Sequence, residues 1–140
     1  MFLAFDFGHK RIGVAVGDTL TGTARALPAL RSSTQPDWPG IERLLTQWRP
    51  EALIVGLPLD EDGGEQDITT LARQFAEQLR RRSGLCVHLA DERYSSRAAD
   101  DALRDARASG RMKRRVRKGD RDGEAARVIL EQWLAEQSIR

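Results

Sequence analysis

Three acidic residues occupy positions where hydrophobic patterning alone would place an apolar side chain. Asp6 lies within the strand-like run FLAFDF and shares its alternating face with Phe2 and Ala4. Glu92 ends the strand-like run VHLADE, and Asp122 stands one turn before the apolar stripe of the last helical segment. A carboxylate in an apolar position is costly unless a partner compensates its charge.

Convergence of these carboxylates over one end of a single sheet would make them repel each other and favour their protonated forms. A divalent cation removes that conflict, and coordination by carboxylates and water suits Mg²⁺ or Mn²⁺. The pattern therefore predicts a metal site held by Asp6, Glu92 and Asp122.

Each carboxylate also has an ordinary structural interpretation. Asp6 could form a buried ion pair with Lys10 or Arg11, and Glu92 could form a surface salt bridge with a neighbouring arginine. Asp122 is a suitable N-cap residue for the last helix, although capping does not exclude metal binding.

A second feature is the basic segment, residues 107–118, which contains seven basic residues and no acidic one. Without these seven, 16 basic and 21 acidic residues remain, so the rest of the chain carries a net charge of −5. One concentrated basic segment on an acidic body indicates a polyanionic partner. The segment contains no aromatic residue, so stacking of bases on it is not indicated. The basic residues are Arg107, Arg111, Lys113, Arg114, Arg115, Arg117 and Lys118.

Hydrophobic patterning predicts an α/β fold, with a mixed sheet and helices on its faces. A hairpin that turns at Gly8 opens the chain, and Pro28 favours an edge position for the third strand. The predicted strands are residues 1–7, 11–17, 22–32, 52–59 and 85–92. Helices are predicted from Trp38 to the residue before Pro50, from Ile68 to Arg82, from Ser95 or Ser96 to near Gly110, and around Ala126–Leu134.

The chain has 140 residues, 40% of them hydrophobic and 31% charged, which is typical of one globular domain spanning residues 1–140. No apolar run approaches the roughly 20 residues of a membrane span, and no signal-peptide pattern opens the sequence. The single cysteine, Cys86, is predicted to be a small buried core residue in a reducing compartment. We therefore expect a cytoplasmic protein without membrane contact.

Four blocks in this order, DFGHKRIGVAVGD, IVGLPLDEDG, ADERYSS and KGDRDGEAARVIL, together resemble the YqgF family over nearly the whole chain. That family comprises RuvC-like nucleases of the ribonuclease H fold, described as Holliday junction resolvases and as nucleases that process pre-16S ribosomal RNA. The resemblance implies a five-stranded mixed sheet flanked by helices. It also implies that Asp6, Glu92 and Asp122 are the catalytic carboxylates.

One departure concerns the last block, where Gly123 follows Asp122 although the family usually carries serine there. Asp120 is therefore a competing candidate, but the distance from Asp122 to the paired alanines Ala125-Ala126 favours Asp122. Asp60 lies in the connection after the fourth strand, where Gly56 and Pro58 are expected to shape a turn near the proposed site. It is a further possible ligand, although a plain strand-to-helix connection is the preferred interpretation.

The carboxylates predict metal-dependent hydrolysis of phosphodiester bonds, and the resemblance implies that it serves 5′-end processing of pre-16S rRNA. Lys10, Arg11 and Arg93, together with the basic segment, are the predicted contacts to the nucleic acid. One alternative is a junction resolvase that acts on branched DNA, which would require a two-fold homodimer rather than a monomer. Others are a nucleic-acid-binding module without catalysis and a phosphate-binding ATPase fragment.

Overall fold

The structure of the chain is a computed structural model that describes residues 1–32, 35–57, 67–91 and 118–138. At positions 67, 91, 118–122 and 138 it describes the backbone. The predicted helix that begins at Ser95 or Ser96 and nearly all of the basic segment lie outside these ranges.

Five strands in the described ranges form one sheet in the order β3-β2-β1-β4-β5. Strand β1 is central, antiparallel to β2 and parallel to β4, so the sheet is mixed, as predicted. Pairing with β2 and β4 satisfies both edges of β1, while the helices cover its two faces. The strands are β1 (Phe2–Phe7), β2 (Arg11–Asp18), β3 (Thr23–Arg31), β4 (Ala52–Leu57) and β5 (Cys86–Asp91).

The two faces of the sheet are covered by different helices. On one face, Leu3 and Phe5 belong to a core that includes Ile41 and Phe75. On the other face, Ala4 belongs to a core whose helical side chains include Leu130. The helices of the described ranges are α1 (Trp38–Trp48), α2 (Asp67–Ser83) and α3 (Lys118–Ser138), with α1 and α2 on the first face and α3 on the second. None of them offers an apolar stretch that would reach across a bilayer.

Strand β3 is an edge strand, which confirms the position inferred from Pro28. The pairing of β2 with β3 shifts between Ile12, opposite Leu30, and Val14, opposite Leu27. Pro28 thus lies within a bulge, where its missing N–H breaks no regular ladder bond.

Three expectations need correction. Lys118 was expected in a loop but is the first residue of α3. The interpretation of Asp122 as an N-cap is wrong, since it is the fifth residue of that helix. Cys86 is exposed rather than buried, because β5 forms the other edge of the sheet. The first residue of a helix is only loosely defined by the sequence, which explains the two corrections in α3.

Candidate active site

Asp6 lies near the carboxyl end of the central strand, on the face that α3 covers. It is two residues beyond Ala4, a member of the core under α3, and alternate residues of a strand share a face. Its Cα partners are Gly13 in β2 and Gly56 in β4, and Gly56 in turn pairs with Ala90 in β5. These four residues, named here the Asp6 row, cross four strands at one level.

The Asp6 row is almost free of side chains apart from the carboxylate itself. Gly13 and Gly56 carry none, and Ala90 carries one methyl group. With strands about 4.8 Å apart, the Cα atoms of Asp6 and Ala90 are separated by about 10 Å of sheet without an intervening side chain. Gly13 and Gly56 are themselves buried, so the partly buried Asp6 stands between two positions where other groups approach the sheet closely.

The two glycines were not identified as functional by sequence reasoning. Gly56 was interpreted as part of a turn, whereas it is the fifth residue of β4 and pairs with Asp6. An isolated glycine inside an apolar strand pattern signals a close approach of another group, so the run ALIVGL did contain the signal.

The amino-terminal part of α3 lies at the same end of the sheet as Asp6. A Cβ built on Gly123 would stand 3.1 Å from the Cβ of Ala26 and 3.5 Å from the carbonyl oxygen of Leu27. Ala26 pairs across the sheet with Ala15, which pairs with Ala4, two residues before Asp6. Further along α3, Leu130 approaches Gly17 at the opposite end of β2, so the helix runs away from Asp6.

The backbone of Asp122 therefore lies near the end of the sheet that carries Asp6, one residue before Gly123. Glu92 directly follows Asp91, the last residue of β5, and itself lies outside the described residues. Asp91 pairs with Leu57, one position beyond the Asp6 row. In the described ranges no three His, Cys, Asp or Glu side chains come together as a metal-binding group.

The basic residues of the first hairpin are adjacent to Asp6. A Cβ on Gly8 would lie 2.7 Å from the carbonyl oxygen of Arg11, so glycine allows this turn to close tightly. Lys10 is exposed, and its carbonyl oxygen accepts a hydrogen bond of 3.0 Å from the N–H of Ser32. Arg11, partly buried, begins β2 opposite Arg31.

The remaining predicted contacts lie outside the described residues or away from Asp6. His9, three residues beyond Asp6 in the turn, is exposed and lines a cavity on the face that α1 and α2 cover, rather than the face of Asp6. The residues outside the described ranges are Asp60, Arg93, Arg107, Arg111, Lys113, Arg114, Arg115 and Arg117.

Comparison with known proteins finds a matching family model and similar relatives. A family model described as "RuvX: Holliday junction resolvase" matches residues 1–136. A protein of Klebsiella pneumoniae named "Putative pre-16S rRNA nuclease" is 49% identical over 139 residues, which are 99% of this chain and 97% of the relative. A Haemophilus influenzae protein of the same name is 47% identical over 133 residues, with 94% and 93% covered.

Among solved structures, RuvC of Thermus thermophilus in complex with a Holliday junction superposes with a TM-score of 0.56. The match covers 99% of this chain and 96% of RuvC at 17% sequence identity. At this low identity the superposition shows the fold alone. It confirms the RuvC-like, ribonuclease H-like sheet that the four sequence blocks predicted.

Proposed function

The chain belongs to the RuvX family of nucleases, and from that premise we propose that it is a divalent-metal-dependent phosphodiester hydrolase whose site is built around Asp6. The observation that carries the proposal is the Asp6 row. A carboxylate on the central strand stands between two glycines, at the end of the sheet where β5 ends and near which α3 begins.

The donor set suits a hard cation. Asp6, Glu92 and Asp122 supply carboxylate oxygens, which are the ligands of Mg²⁺ and Mn²⁺. Gly13 and Gly56 place no side chain beside Asp6 that would compete with a ligand for the carboxylate. When bound, the metal supplies an activated water and stabilises the charge that develops on phosphorus.

The choice of Asp122 over Asp120 follows from the period of α3. Position 122 precedes the buried residues Ala125 and Ala126 by three and four residues, so it falls on the stripe that faces the sheet. Position 120 precedes Glu124 by four residues, and Glu124 forms an ion pair on the partly exposed side of the helix.

The basic side chains of the chain bind the nucleic acid and not the metal. Lys10, exposed in the hairpin turn four residues beyond Asp6, is placed to hold a phosphate of the strand being cut. The basic segment binds the backbone elsewhere, since each phosphate that a lysine or arginine neutralises releases counterions. Arg11 and Arg93 complete the proposed contacts beside Asp6 and Glu92.

The proposed substrate is precursor 16S rRNA, which the names of the relatives give for those proteins. Cutting in its 5′ region and in the cytoplasm is part of our proposal. A four-way DNA junction is the second candidate, because the family description names that substrate. Symmetric cutting of a junction would require a two-fold dimer, whereas a monomer suffices to trim one RNA strand.

The test is a cleavage assay on a pre-16S rRNA 5′-leader fragment and on a four-way DNA junction, with Mn²⁺, with Mg²⁺ and with EDTA. Asp6→Asn is expected to lower metal-dependent cleavage by at least ~100-fold. Even the loss of a residue that only hydrogen-bonds to a metal ligand typically lowers metal affinity or activity by about 10–100-fold. Asp37→Asn is the matched control. It makes the same chemical change at the N-cap of α1, where asparagine caps as well as aspartate.

Metal-dependent cutting that Asp37→Asn retains and Asp6→Asn loses would support the site, and the better substrate would identify the class of nucleic acid. Salt-sensitive binding without cutting, equal in the wild type and Asp6→Asn, would contradict the enzyme and leave a binding module.

A further inference from the structure

A cavity of about 410 Å³ opens on the face of the sheet opposite to Asp6, and the proposed chemistry does not use it. Its described lining comes from the end of β1, the chain after β3 and one side of α2. The volume lies within the range of small-molecule sites, roughly 300–1,000 Å³. We call it the glutamine cavity, because Gln35, Gln74 and Gln78 line it.

The floor of the glutamine cavity is aromatic and rigid. The Trp38 and Phe75 rings stack with centroids 5.6 Å apart, and the ring centroids of Phe7 and Phe75 are 5.2 Å apart. The guanidinium carbon of Arg82 lies 4.2 Å from the centroid of the Trp38 ring. Trp38 and Phe75 are nearly buried, so the floor is held in place by the core beneath it.

The rim is polar but carries little charge. Gln74 and Gln78 are exposed on successive turns of α2, and each amide offers both a donor and an acceptor. Among the described lining residues Arg82 has the one permanent charge, and none is acidic. A cationic ligand is thus disfavoured. A bare phosphate would also lack the several cations that phosphate sites collect.

Trp38 is only 7% and Phe75 only 2% exposed. A ligand would therefore meet the partly buried Phe7, the exposed Arg82 and the amides at the rim, which together match the chemistry of an unstacked nucleobase. Proteins read such bases by packing them on flat side chains and by hydrogen bonds to their donor and acceptor edges. A base that is stacked within a duplex does not present itself in this way.

The position of the cavity connects it to the cleavage site. Phe7 directly follows Asp6 in β1, and the two residues lie on opposite faces of the same sheet end. The turn that separates the two sites contains the exposed residues His9, which lines the cavity, and Lys10. A strand that crosses this turn would keep its phosphates near Lys10 and bring a neighbouring base to the cavity.

We propose that the glutamine cavity binds one unpaired nucleobase of the substrate, close along the strand to the phosphate that is cut. This inference rests on the proposed function, and it narrows the substrate to nucleic acids with an unpaired nucleotide beside the cleavage site. Gln74 and Gln78 bind the edge of the base, and the apolar floor excludes water from it.

The experiment measures binding of a short single strand of the better substrate to full-length Asp6→Asn protein, which keeps the strand intact. The strand is prepared as a series in which the base at one position after another is replaced by an abasic site. Loss of one particular base is expected to weaken binding about tenfold, as the loss of a base-edge contact and its packing predicts.

The same series is then bound to the Asp6→Asn protein that also carries Gln74→Ala and Gln78→Ala. Both sites are exposed helix positions where alanine is well tolerated, so the fold is expected to persist. In this variant the tenfold difference between the intact and the critical abasic strand should become smaller, because the edge contacts are lost while the packing of the base on the apolar floor remains. The matched control replaces Gln47 and Gln132, two exposed helical glutamines outside the cavity lining, by alanine and should keep the difference.

The outcomes separate this inference from the function on which it rests. A strand that binds equally well whichever base is missing would overturn the cavity assignment while leaving the nuclease intact. So would a base dependence that is undiminished in the Gln74→Ala/Gln78→Ala variant, because the base would then be bound elsewhere. Absence of both strand binding and wild-type cleavage would overturn the proposed function, and the cavity assignment with it.

Discussion

Asp6 of β1 and Gly56 of β4 are Cα partners in neighbouring parallel strands, so the carboxylate stands beside a position without a side chain. Gly13 repeats this arrangement on the other side of Asp6. The space that side chains at these two positions would occupy is therefore part of the proposed site, together with its acidic groups. Filling that space should harm cleavage even when every carboxylate remains.

The first prediction follows from this relationship. Gly56→Val places a branched side chain next to Asp6, where it displaces the ligand from its reacting position. Because a displacement of 1 Å can cost about 100-fold, cleavage is expected to fall by roughly that factor. The measurement is the rate of metal-dependent cutting, with circular dichroism to establish the folded fraction.

Ala52→Val provides the control for this first prediction. Ala52 is a buried residue on the same strand and the same face as Gly56, four positions earlier, and it belongs to the core under α3. The folded fraction of Ala52→Val should cut at the wild-type rate. Equal rates for Gly56→Val and the wild type would contradict the role of this space.

The second prediction concerns the basic segment. Replacing Arg114 and Arg115 by glutamine removes two phosphate contacts, so the slope of log K against log salt on duplex should become shallower by about 1.8. Fluorescence anisotropy over a salt series measures this slope. The control replaces Arg43 and Arg49, two exposed arginines of α1 and its C-cap, by glutamine. If both pairs changed the slope equally, binding would depend on overall charge and not on this segment.

The third prediction is a pH dependence of stability. Glu77 accepts hydrogen bonds from Arg80 and Arg81, and the bond from Arg80 is the main cause that lowers the pKa of Glu77 below its ordinary 4.5. A carboxyl with a lowered folded-state pKa stabilises the fold above its ordinary pKa, and this contribution is lost as the pH falls through the lowered value. Glu77→Gln should thus be less stable than the wild type at neutral pH and equal to it well below pH 4.5.

Urea denaturation at the two pH values tests this third prediction. Arg80→Gln removes the main cause of the shift and is expected to show the same loss at neutral pH. A difference between the wild type and Glu77→Gln that persists unchanged in acid would mean that packing, and not ionisation, is responsible.

The fourth prediction concerns the attachment of α3 to the edge strand. Arg127 forms ion pairs with Glu124 and Glu131, each at 2.9 Å, and Glu131 also accepts a hydrogen bond from the N–H of Ala24 in β3. Arg127→Met keeps the apolar stem but removes the guanidinium. The free energy of unfolding should fall by about 1 kcal/mol, the upper range for partly exposed pairs.

Chemical denaturation measures the effect of Arg127→Met, and Arg43→Met on an exposed face of α1 serves as its control. The control should change stability by less than about 0.5 kcal/mol. An equally small change for Arg127→Met would show that the charge network does not hold the helix on β3.

The sequence was sufficient to predict which face of β1 carries Asp6 and that both faces of β4 are buried. Alternation in FLAFDF put Asp6 with Phe2 and Ala4, and these two residues do belong to the core that α3 covers. The apolar run of β4 predicted a strand buried on both faces, and Pro28 predicted an edge. These inferences hold because the periods of strands and helices are local properties of the chain.

Boundaries and neighbours were harder to predict. The helix that contains Asp122 begins at Lys118, because backbone hydrogen bonds extend a helix beyond its apolar stripe. Cys86 looked like a core residue because its run is apolar, but the sheet ends at β5 and leaves that side chain exposed. The convergence of the Glu92 and Asp122 side chains on Asp6 stays a prediction.

The sequence by itself thus determined the types of the chemical groups and the face of the sheet on which Asp6 lies. Only the tertiary structure decided that Gly13 and Gly56 flank Asp6 and that the glutamine cavity opens behind the same strand end. The register between β1 and β4 joins residues about fifty positions apart, and shifting it by one residue would turn every side chain of a strand to the other face. Such register is chosen by the packing of both cores together, a property that no local pattern contains.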